Sequence, residues 1–166
     1  MVRDHLAVDA ASNTIAAATL TTNGEGDASQ VAPLLDQTTG PIEAVMADGA
    51  YDGEPTYPKV AERDPAATVV IPPRITAVPG SSAGSEPSRR DRHIRTLSEQ
   101  GRLGWQRQTD YGKRAKAETA MARYKGILGD HLHARALPGQ QAEAALGVAV
   151  LNRMIEAGRP NSVRIA

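Results

Sequence analysis

The chain has 166 residues and a formal net charge of zero, a length that suits one domain with one hydrophobic core. It contains no Cys and no Phe, and only 3% of its residues are aromatic. A disulfide-rich scaffold and a thiolate metal site are therefore excluded, and the core has to be built from Ala, Val, Leu and Ile. No apolar run reaches membrane-spanning length and the first ten residues lack a signal-peptide pattern, so we expect a cytoplasmic protein.

The zero net charge conceals an uneven distribution along the chain. Residues 1–73 contain 3 Lys or Arg and 11 Asp or Glu, whereas residues 74–166 contain 16 Lys or Arg and 8 Asp or Glu. A basic half of this kind indicates a polyanionic partner, and an acidic half offers carboxylates for chemistry. The alternative is that the two halves neutralise each other across the core.

The first half of the chain has the pattern of strands that alternate with short helices. Two short apolar runs separated by a turn near Asn13 predict a hairpin. A helix follows, which Asp27 can cap and Gly40-Pro41 ends. The predicted elements are strands at 5–8 and 14–21, a helix at 29–37, a strand at 42–47, a short helix at 54–64 and a strand at 68–71.

The second half is helical after a polar loop. Residues 75–90 are rich in Gly, Ser and Pro and predict a mobile loop, which with its flanks spans 74–91. The predicted helices lie at 91–99, with a break at Gly101 and Gly104, at 111–128 between Asp110 and Gly129, and at 142–157 before Gly158 and Pro160. This order predicts one α/β domain over residues 1–166, in which the hairpin joins a mixed sheet flanked by helices.

Asp48 directly follows a predicted strand, in the stretch MADGAYDG at 46–53. A carboxylate at the carboxyl end of a strand lies at the edge of an α/β sheet, where ligands and metal ions bind. The alternative is that Asp-Gly is an ordinary turn dipeptide and that Asp52, which repeats the pattern, only caps the next helix.

A second stretch, YGKRAKAETAMARYK at 111–125, combines a tyrosine with charged residues. Tyr111, Arg114, Glu118 and Lys125 have spacings that place them along one stripe of a helix. A row of charges on a helix is most often a solvated face with weak salt bridges. The alternative is a functional face on which a carboxylate is presented beside two cations.

These two stretches resemble segments of the DDE transposases of bacterial insertion sequences. Every spacing of the family signature Y-x2-R-x3-E-x6-K is matched within 111–125, and MADGAYDG resembles the segment that carries the second aspartate. HLAVDA at 5–10 and VVIPPR at 69–74 resemble further family segments in the same order. The resemblance covers essentially the whole chain.

The resemblance implies an RNase-H-like fold in which three carboxylates hold two Mg²⁺ or Mn²⁺ ions for DNA cleavage and strand transfer. It assigns Asp48 and Glu118 to the second and third of these catalytic, metal-binding carboxylates. It assigns Tyr111, Arg114 and Lys125 to contacts with DNA phosphates near the transposon end. DNA is therefore the implied partner.

The first carboxylate has no counterpart in this sequence. Asp9 lies where the hairpin turns and suits an ordinary turn acid. In the family the first aspartate lies further upstream, in an Asp-Ser-Thr motif, and the sequence contains no such motif. We therefore expect the chain to lack strand 1, the first aspartate and a preceding DNA-recognition domain. Exposed sheet edges and marginal stability would follow.

Three functions are compatible with these observations. The chain is a transposase catalytic-domain fragment that is inactive alone, a non-catalytic DNA-binding remnant, or one half of a split or frameshifted transposase completed by a fragment from an upstream frame. A second copy of the chain is a further candidate partner.

Two other features have mainly structural interpretations. His131 and His133 form a weak zinc-like pair, and we expect both on the surface because no further ligands complete a site. We expect Trp105 to anchor the helix that begins at Tyr111, with base stacking as the alternative.

Overall fold

A computed structural model of the protein describes residues 2–53, 55–80 and 83–158. Within these ranges four strands and five α-helices are connected by loops and short 3₁₀ turns. In chain order they are β1 (Val2–Val8), β2 (Ile15–Thr22), α1 (Val31–Asp36), β3 (Ala44–Met46), α2 (Thr56–Arg63), β4 (Thr68–Val70), α3 (Arg89–Gln108), α4 (Ala115–Leu128) and α5 (Leu137–Glu156). Every predicted strand and helix is present; α3 continues past the predicted break as a second helical segment, and α5 begins at Leu137 rather than at residue 142.

The described strands form two separate two-stranded sheets rather than the single mixed sheet that the sequence predicted. β1 pairs antiparallel with β2, and β3 pairs in parallel with β4. Each of the four strands therefore has one unpaired edge within the described ranges. The sheets are not joined because no described strand pairs with both β1 and β3.

Asp9 organises the turn between β1 and β2. Its Oδ1 accepts a hydrogen bond from Ala11 N at 3.1 Å, and its Oδ2 accepts bonds from Ser12 N at 3.0 Å and Ser12 Oγ at 2.5 Å. These hydrogen bonds lower the pKa of Asp9, with the largest effect from the Ser12 side chain and smaller effects from the two backbone N–H groups. Asn13 closes the turn with a φ of 61°. The prediction that Asp9 is a turn acid is confirmed.

The core is divided into three clusters. One packs α1 and α2 against one face of β3–β4, and another packs α3 against the opposite face. The third packs α4 and α5 against the β1–β2 hairpin. Trp105 is buried in one of these clusters, as predicted for a core anchor, whereas the expectation of a core built from Ala, Val, Leu and Ile is wrong at the Tyr111 and Tyr124 positions. Aromatic rings fill them because single large side chains bury much apolar area.

A capping box starts α3 and ends the preceding loop. Ser88 Oγ accepts a hydrogen bond from Asp91 N, and Asp91 Oδ2 accepts one from Ser88 N at 2.9 Å. Asp91 Oδ1 also accepts a bond from Gly80 N at 2.8 Å, which ties the loop to the helix. The first residues of α3 were predicted to lie within the loop at 74–91, so the loop is shorter than expected. The predicted break is present at Gly101, where φ is 70° and ψ is 177°.

Two predicted N-caps are wrong. The Asp27 carboxylate binds Arg3 at 2.6 Å and makes no side-chain cap bond to the helix that follows. Asp110 has a φ of 54°, and its carboxylate lies 3.2 Å from Lys113 Nζ instead of capping. This left-handed residue is followed by a 3₁₀ turn at 111–114, so α4 begins at Ala115 rather than at residue 111.

The C-terminal helix α5 ends at Glu156, and Gly158 follows with a φ of 88°. The predicted glycine stop is therefore confirmed, whereas Pro160 lies outside the described residues. Within the described ranges, none of the helices combines the length and the apolar character that crossing a bilayer requires.

Candidate active site

Asp48 lies just past the end of β3, at the start of a 3₁₀ turn. Its Oδ1 accepts a hydrogen bond from Ala50 N at 3.0 Å, which makes Asp48 the N-cap of the turn Gly49–Tyr51. The other carboxylate oxygen has no part in this turn. The prediction that Asp48 follows a strand is confirmed, and the alternative of a local turn role applies to one of its two oxygens.

Asp52 fixes the turn that carries Asp48. Its carboxylate is buried and accepts hydrogen bonds from Arg90, with Nε 2.8 Å from Oδ1 and Nη2 3.0 Å from Oδ2. Arg74 N adds a bond to Oδ2 at 3.1 Å, and the Arg74 guanidinium reaches the carbonyl oxygens of the two residues after Asp48 at 3.3 Å. Asp52 therefore connects the turn to α3 rather than capping α2, whose N-cap is Pro55.

Gly49 lets this turn approach the segment that follows β4. A Cβ atom at Gly49 would lie 3.2 Å from Pro72 O, which is tighter than ordinary van der Waals contact. The backbone of the Asp48 turn is thus packed directly against the segment that leads into Arg74.

Arg114 brings the two predicted catalytic carboxylates together. Its Nη1 donates to Glu118 Oε1 at 2.5 Å, and its Nη2 donates to Asp48 Oδ2 at 3.3 Å. Partial burial acts to lower the pKa of Arg114, but the bond to Glu118 and the nearby Asp48 carboxylate outweigh burial and raise it. A permanently cationic guanidinium therefore bridges two carboxylates that are 70 positions apart in the chain.

Tyr111 lies in the core beside this bridge. Its hydroxyl donates to Ala47 O at 3.2 Å, and its ring centroid lies 4.9 Å from that of Trp105. Burial raises the pKa of the Tyr111 hydroxyl, and Arg114 Cζ lies 5.9 Å from the centre of the ring. Tyr111 therefore supports Arg114 and the residue before Asp48. A contact between its hydroxyl and a DNA phosphate stays a prediction, and it would require the bond to Ala47 to break.

Trp105 is fully buried, as the sequence predicted for a core anchor. Its indole N–H donates to His93 Nδ1 at 3.0 Å. Because Nδ1 accepts, the imidazole proton is on Nε2, which donates to Val69 O at 2.8 Å. These bonds tie α3 to β4 and hold the platform on which Tyr111 packs. His131 and His133 are exposed, as expected.

Lys125 is exposed on α4, two turns beyond Glu118 on the same side of the helix. At 1.5 Å per residue, their separation along the helix axis is about 10 Å. The predicted helical stripe is therefore present for Glu118 and Lys125, whereas Tyr111 and Arg114 lie in the 3₁₀ turn that precedes α4. Burial raises the pKa of Asp4 on β1, and the Lys125 charge partly offsets this effect.

Asp48 and Glu118 offer the oxygen ligands that Mg²⁺ and Mn²⁺ prefer, and they already converge on one cationic group. Mg²⁺ commonly binds one or two protein carboxylates and completes its coordination with water and substrate phosphates. The pair therefore fits such an ion chemically. Among the described residues, no cluster of three or more His, Asp or Glu side chains could hold a metal ion, so no third ligand joins the pair there.

A cleft of about 340 Å³ lies elsewhere, between the hairpin and the helices α4 and α5. Its lining includes Leu6, Leu20 and Tyr124, but neither Asp48 nor Glu118. A cleft of this size suits a small ligand, whereas a long polyanion binds along a charged surface. The position of the carboxylates, and not the cleft, therefore defines the candidate site.

The sequence did not indicate the residues that hold the site in place. Asp52 was assigned a cap role, and Arg74 and Arg90 had no assigned role. Arg74 and Arg90 bind Asp52 from 22 and 38 residues further along the chain, and no short motif encodes such distant pairing. The repeated Asp in MADGAYDG was the only available signal for Asp52.

Comparison with known protein families gives one match that extends over most of the chain. The family model described as "Transposase DDE domain" matches residues 1–153. This range includes both candidate carboxylates and the three residues expected to contact DNA. No solved structure gives a significant match to the chain.

Proposed function

Because the chain belongs to the transposase DDE domain family, we propose that it is the catalytic-domain fragment of an insertion-sequence transposase with an RNase-H-like fold. The parent activity is metal-dependent DNA cleavage and strand transfer, with Asp48 and Glu118 as two of its catalytic carboxylates. The fragment alone is inactive, because no third carboxylate joins this pair among the described residues.

The observation that carries this proposal is the convergence of Asp48 and Glu118 on Arg114. The two carboxylates come from the end of β3 and from α4; that of Asp48 is about half exposed and that of Glu118 is largely exposed. A helix that needed only a solvated salt bridge would pair Arg114 with Glu118 alone. Recruitment of the distant Asp48 favours a site in which two carboxylates act together.

Each residue of the proposed site has a role that its contacts support. Divalent ions held there would activate the attacking oxygen and stabilise the leaving oxygen of a phosphodiester. Asp48 would bind through Oδ2 while Ala50 N holds Oδ1, and Glu118 would bind through its exposed carboxylate. Arg114 suits a two-point contact with a phosphate, and Lys125 suits a point-charge contact.

A second candidate function is one half of a split transposase, and it is favoured by the edges of β1 and β3 that pair with no other strand of the described ranges. The two strands share neighbours: His5 on β1 lies 3.1 Å from the hydroxyl of Tyr51, just past β3. On the other side α4 packs on β1, and Tyr111 before α4 binds Ala47 at the end of β3. Two-stranded sheets are marginal alone, so an extended segment that pairs with both edges would join them. Such a segment could also bring the third carboxylate.

A third candidate is a DNA-binding protein without catalysis, which the basic composition of residues 74–166 favours. Its binding would weaken steeply with salt and show little sequence preference. For each candidate the proposed partner is DNA, with a second copy of the chain as a further candidate partner, and the proposed location is the cytoplasm.

Mn²⁺ binding, followed by the electron paramagnetic resonance signal of the free ion, tests the proposed site. We expect Asp48→Asn and Glu118→Gln each to weaken binding by about tenfold or more. Glu99→Gln removes a carboxylate from an exposed position on α3 and is the matched control, expected to bind like the wild type. Wild-type affinity in both site variants would rule out the assignment.

The DNA immediately upstream of the gene tests the second candidate. A reading frame there that encodes an Asp-Ser-Thr segment supports a split enzyme. That segment, added as a separate chain, is expected to raise the melting temperature and to confer Mg²⁺-dependent cleavage of DNA that carries the transposon ends. Cleavage by the present chain alone would contradict the fragment proposal.

A further inference from the structure

The Arg114 guanidinium lies where the charges of Asp48 and Glu118 attract a cation. It binds Asp48 through Oδ2 and Glu118 through Oε1. For Asp48 this is the oxygen left for a metal ion, because Oδ1 is engaged by Ala50 N. Arg114 and a divalent cation therefore compete for the same carboxylates.

We propose that Arg114 is a built-in counter-cation that a divalent metal ion displaces, and that the displaced guanidinium then binds a DNA phosphate. This inference rests on the proposed function and adds a regulatory link to it. Without metal, the charge of Arg114 is engaged by the two carboxylates. With metal, the same charge becomes available to DNA, so that metal binding and DNA binding promote each other.

The exposure of the three side chains makes this exchange reversible. Arg114 is 23% exposed, Asp48 46% and Glu118 63%. Water screens ion pairs at such positions and leaves them weak, so a divalent cation with twice the charge can replace the guanidinium. The Asp52–Arg90 pair is different, because the Asp52 carboxylate is 0% exposed and has no such freedom.

Tyr111 provides a support about which Arg114 can turn. Its ring is fixed by the hydroxyl bond to Ala47 and by packing on Trp105. A guanidinium that leaves the carboxylates can keep its contact with this ring while its Nη atoms face solvent. Arg114 would therefore stay beside the site after displacement, within reach of a phosphate bound there.

Displacement also reverses the local charge. The two carboxylates and Arg114 together carry one negative charge in excess, which repels DNA phosphates. One bound divalent ion changes this to one positive charge in excess. The release of Arg114 adds a directed hydrogen-bond donor to that general electrostatic gain.

Nuclear magnetic resonance of the arginine Nε–H groups tests the displacement directly in the wild-type chain. The Arg114 signal, assigned by its absence in Arg114→Gln, is expected to shift on addition of Mg²⁺ and to saturate. The shift should be lost in Asp48→Asn. This measurement needs no DNA and no catalytic activity.

Mn²⁺ affinity provides the second measurement. Arg114→Gln removes the competitor and is expected to bind Mn²⁺ about fivefold tighter than the wild type, because the two ion pairs that it breaks are partly exposed and weak. Arg153→Gln removes an exposed cation from α5 that pairs with Glu156 and with neither candidate carboxylate, and it is expected to keep wild-type Mn²⁺ affinity.

The outcomes separate this inference from the proposed function. If the wild type binds Mn²⁺ with an affinity that Asp48→Asn does not change, the proposed site itself fails. If the site binds Mn²⁺ but Arg114→Gln binds it equally or more weakly, or if the Arg114 signal does not move, only the displacement is wrong. A tighter Arg114→Gln variant together with a saturable Arg114 shift supports the displacement.

Discussion

Arg90 binds the buried carboxylate of Asp52 through two hydrogen bonds, although the two residues are 38 positions apart. Asp52 belongs to the acidic half of the chain and Arg90 to the basic half. The contact between Asp48 and Arg114 joins the two halves in the same way. Some charges of the acidic half are therefore neutralised by charges of the basic half within the fold. This agrees with the alternative to a polyanionic partner that the sequence left open.

The buried Asp52 carboxylate predicts a large loss of stability in Asp52→Asn. The neutral amide cannot compensate the Arg90 charge at a site that solvent hardly reaches, so we expect the free energy of unfolding to fall by about 3 kcal/mol. Urea denaturation followed by circular dichroism measures the change. Glu62→Gln, which breaks the exposed pair with Lys59, is the control and is expected to unfold like the wild type. Equal midpoints for the two variants would show that the Asp52 pair is not structural.

The environment of His5 predicts that acid destabilises the fold. His5 is buried between Tyr51 and Thr21, and burial lowers its pKa from the ordinary value of 6.5, an effect that Asp27 only partly offsets. At pH values between the pKa of His5 in the folded chain and 6.5, the unfolded chain binds more protons than the folded chain. The free energy of unfolding therefore decreases as the pH falls below about 6.5, and the decrease ends below the folded pKa.

Urea denaturation between about pH 5 and pH 7.5 measures this dependence on His5. His5→Gln is expected to be less stable at neutral pH and to lose the part of the slope that His5 causes. A free energy of unfolding in the wild type that stays constant or rises toward pH 5 would contradict the assignment.

Local sequence pattern located the elements, but it could not predict which surfaces they bury. In α5 the residues Leu146, Val150 and Met154 recur with helical spacing, yet all three are exposed. Leu151, which belongs to the same apolar pattern, is fully buried, because Tyr124 of α4 and Ile15 of β2 pack against it. An apolar pattern on nearly all sides of a helix cannot select one side, and distant residues make the selection.

In the candidate site, too, the local sequence predicted some features and distant packing decided the others. Spacing and resemblance predicted Asp48 and Glu118 as catalytic carboxylates, which stays a prediction, and the structure places both against Arg114. The burial of Tyr111 was not predicted, because it depends on Trp105 and on the Ala47 carbonyl. A motif records which residues occur together, whereas their burial and bonding depend on the packing of the whole chain.

The kink at Gly101 predicts that two glycine-to-alanine substitutions have opposite effects. Gly101 has φ 70° and ψ 177°, a conformation that essentially only glycine adopts, so Gly101→Ala should destabilise the protein by about 1–3 kcal/mol. Gly126 lies in α4, and a methyl group added there would meet no neighbouring atom within 4 Å. Gly126→Ala should therefore stabilise the protein by about 0.5–1 kcal/mol. Thermal denaturation of both variants is the test, and a stabilising Gly101→Ala would exclude the kink.

The orientation of α5 predicts a contrast between two leucines in the same helix. Leu151 is 0% exposed, so Leu151→Ala should leave a cavity and cost about 3 kcal/mol. Leu146 is 66% exposed, and Leu146→Ala should have little effect. Chemical denaturation of both variants measures the difference. Similar losses would mean that α5 presents a different side to the hairpin, or that another chain covers Leu146.

The position of Lys125 predicts a defined change in the salt dependence of DNA binding. Each phosphate contact adds about 0.9 to the slope of log K against log salt concentration, because one cation replaces condensed counterions. Lys125 is exposed on the helix that carries Glu118. Lys125→Gln should therefore reduce the magnitude of this slope by about 0.9, the contribution of one phosphate contact. Filter binding of a short duplex between about 50 and 200 mM salt measures the slope.

Arg153→Gln is the matched control for Lys125→Gln. Arg153 is an exposed cation on α5 and pairs with Glu156 at 3.4 Å. It changes the net charge of the chain by the same amount, but it lies on a helix that carries none of the candidate site residues. We expect its slope to equal that of the wild type. If both variants reduced the slope equally, DNA binding would depend on the overall charge of the chain rather than on a phosphate contact from α4.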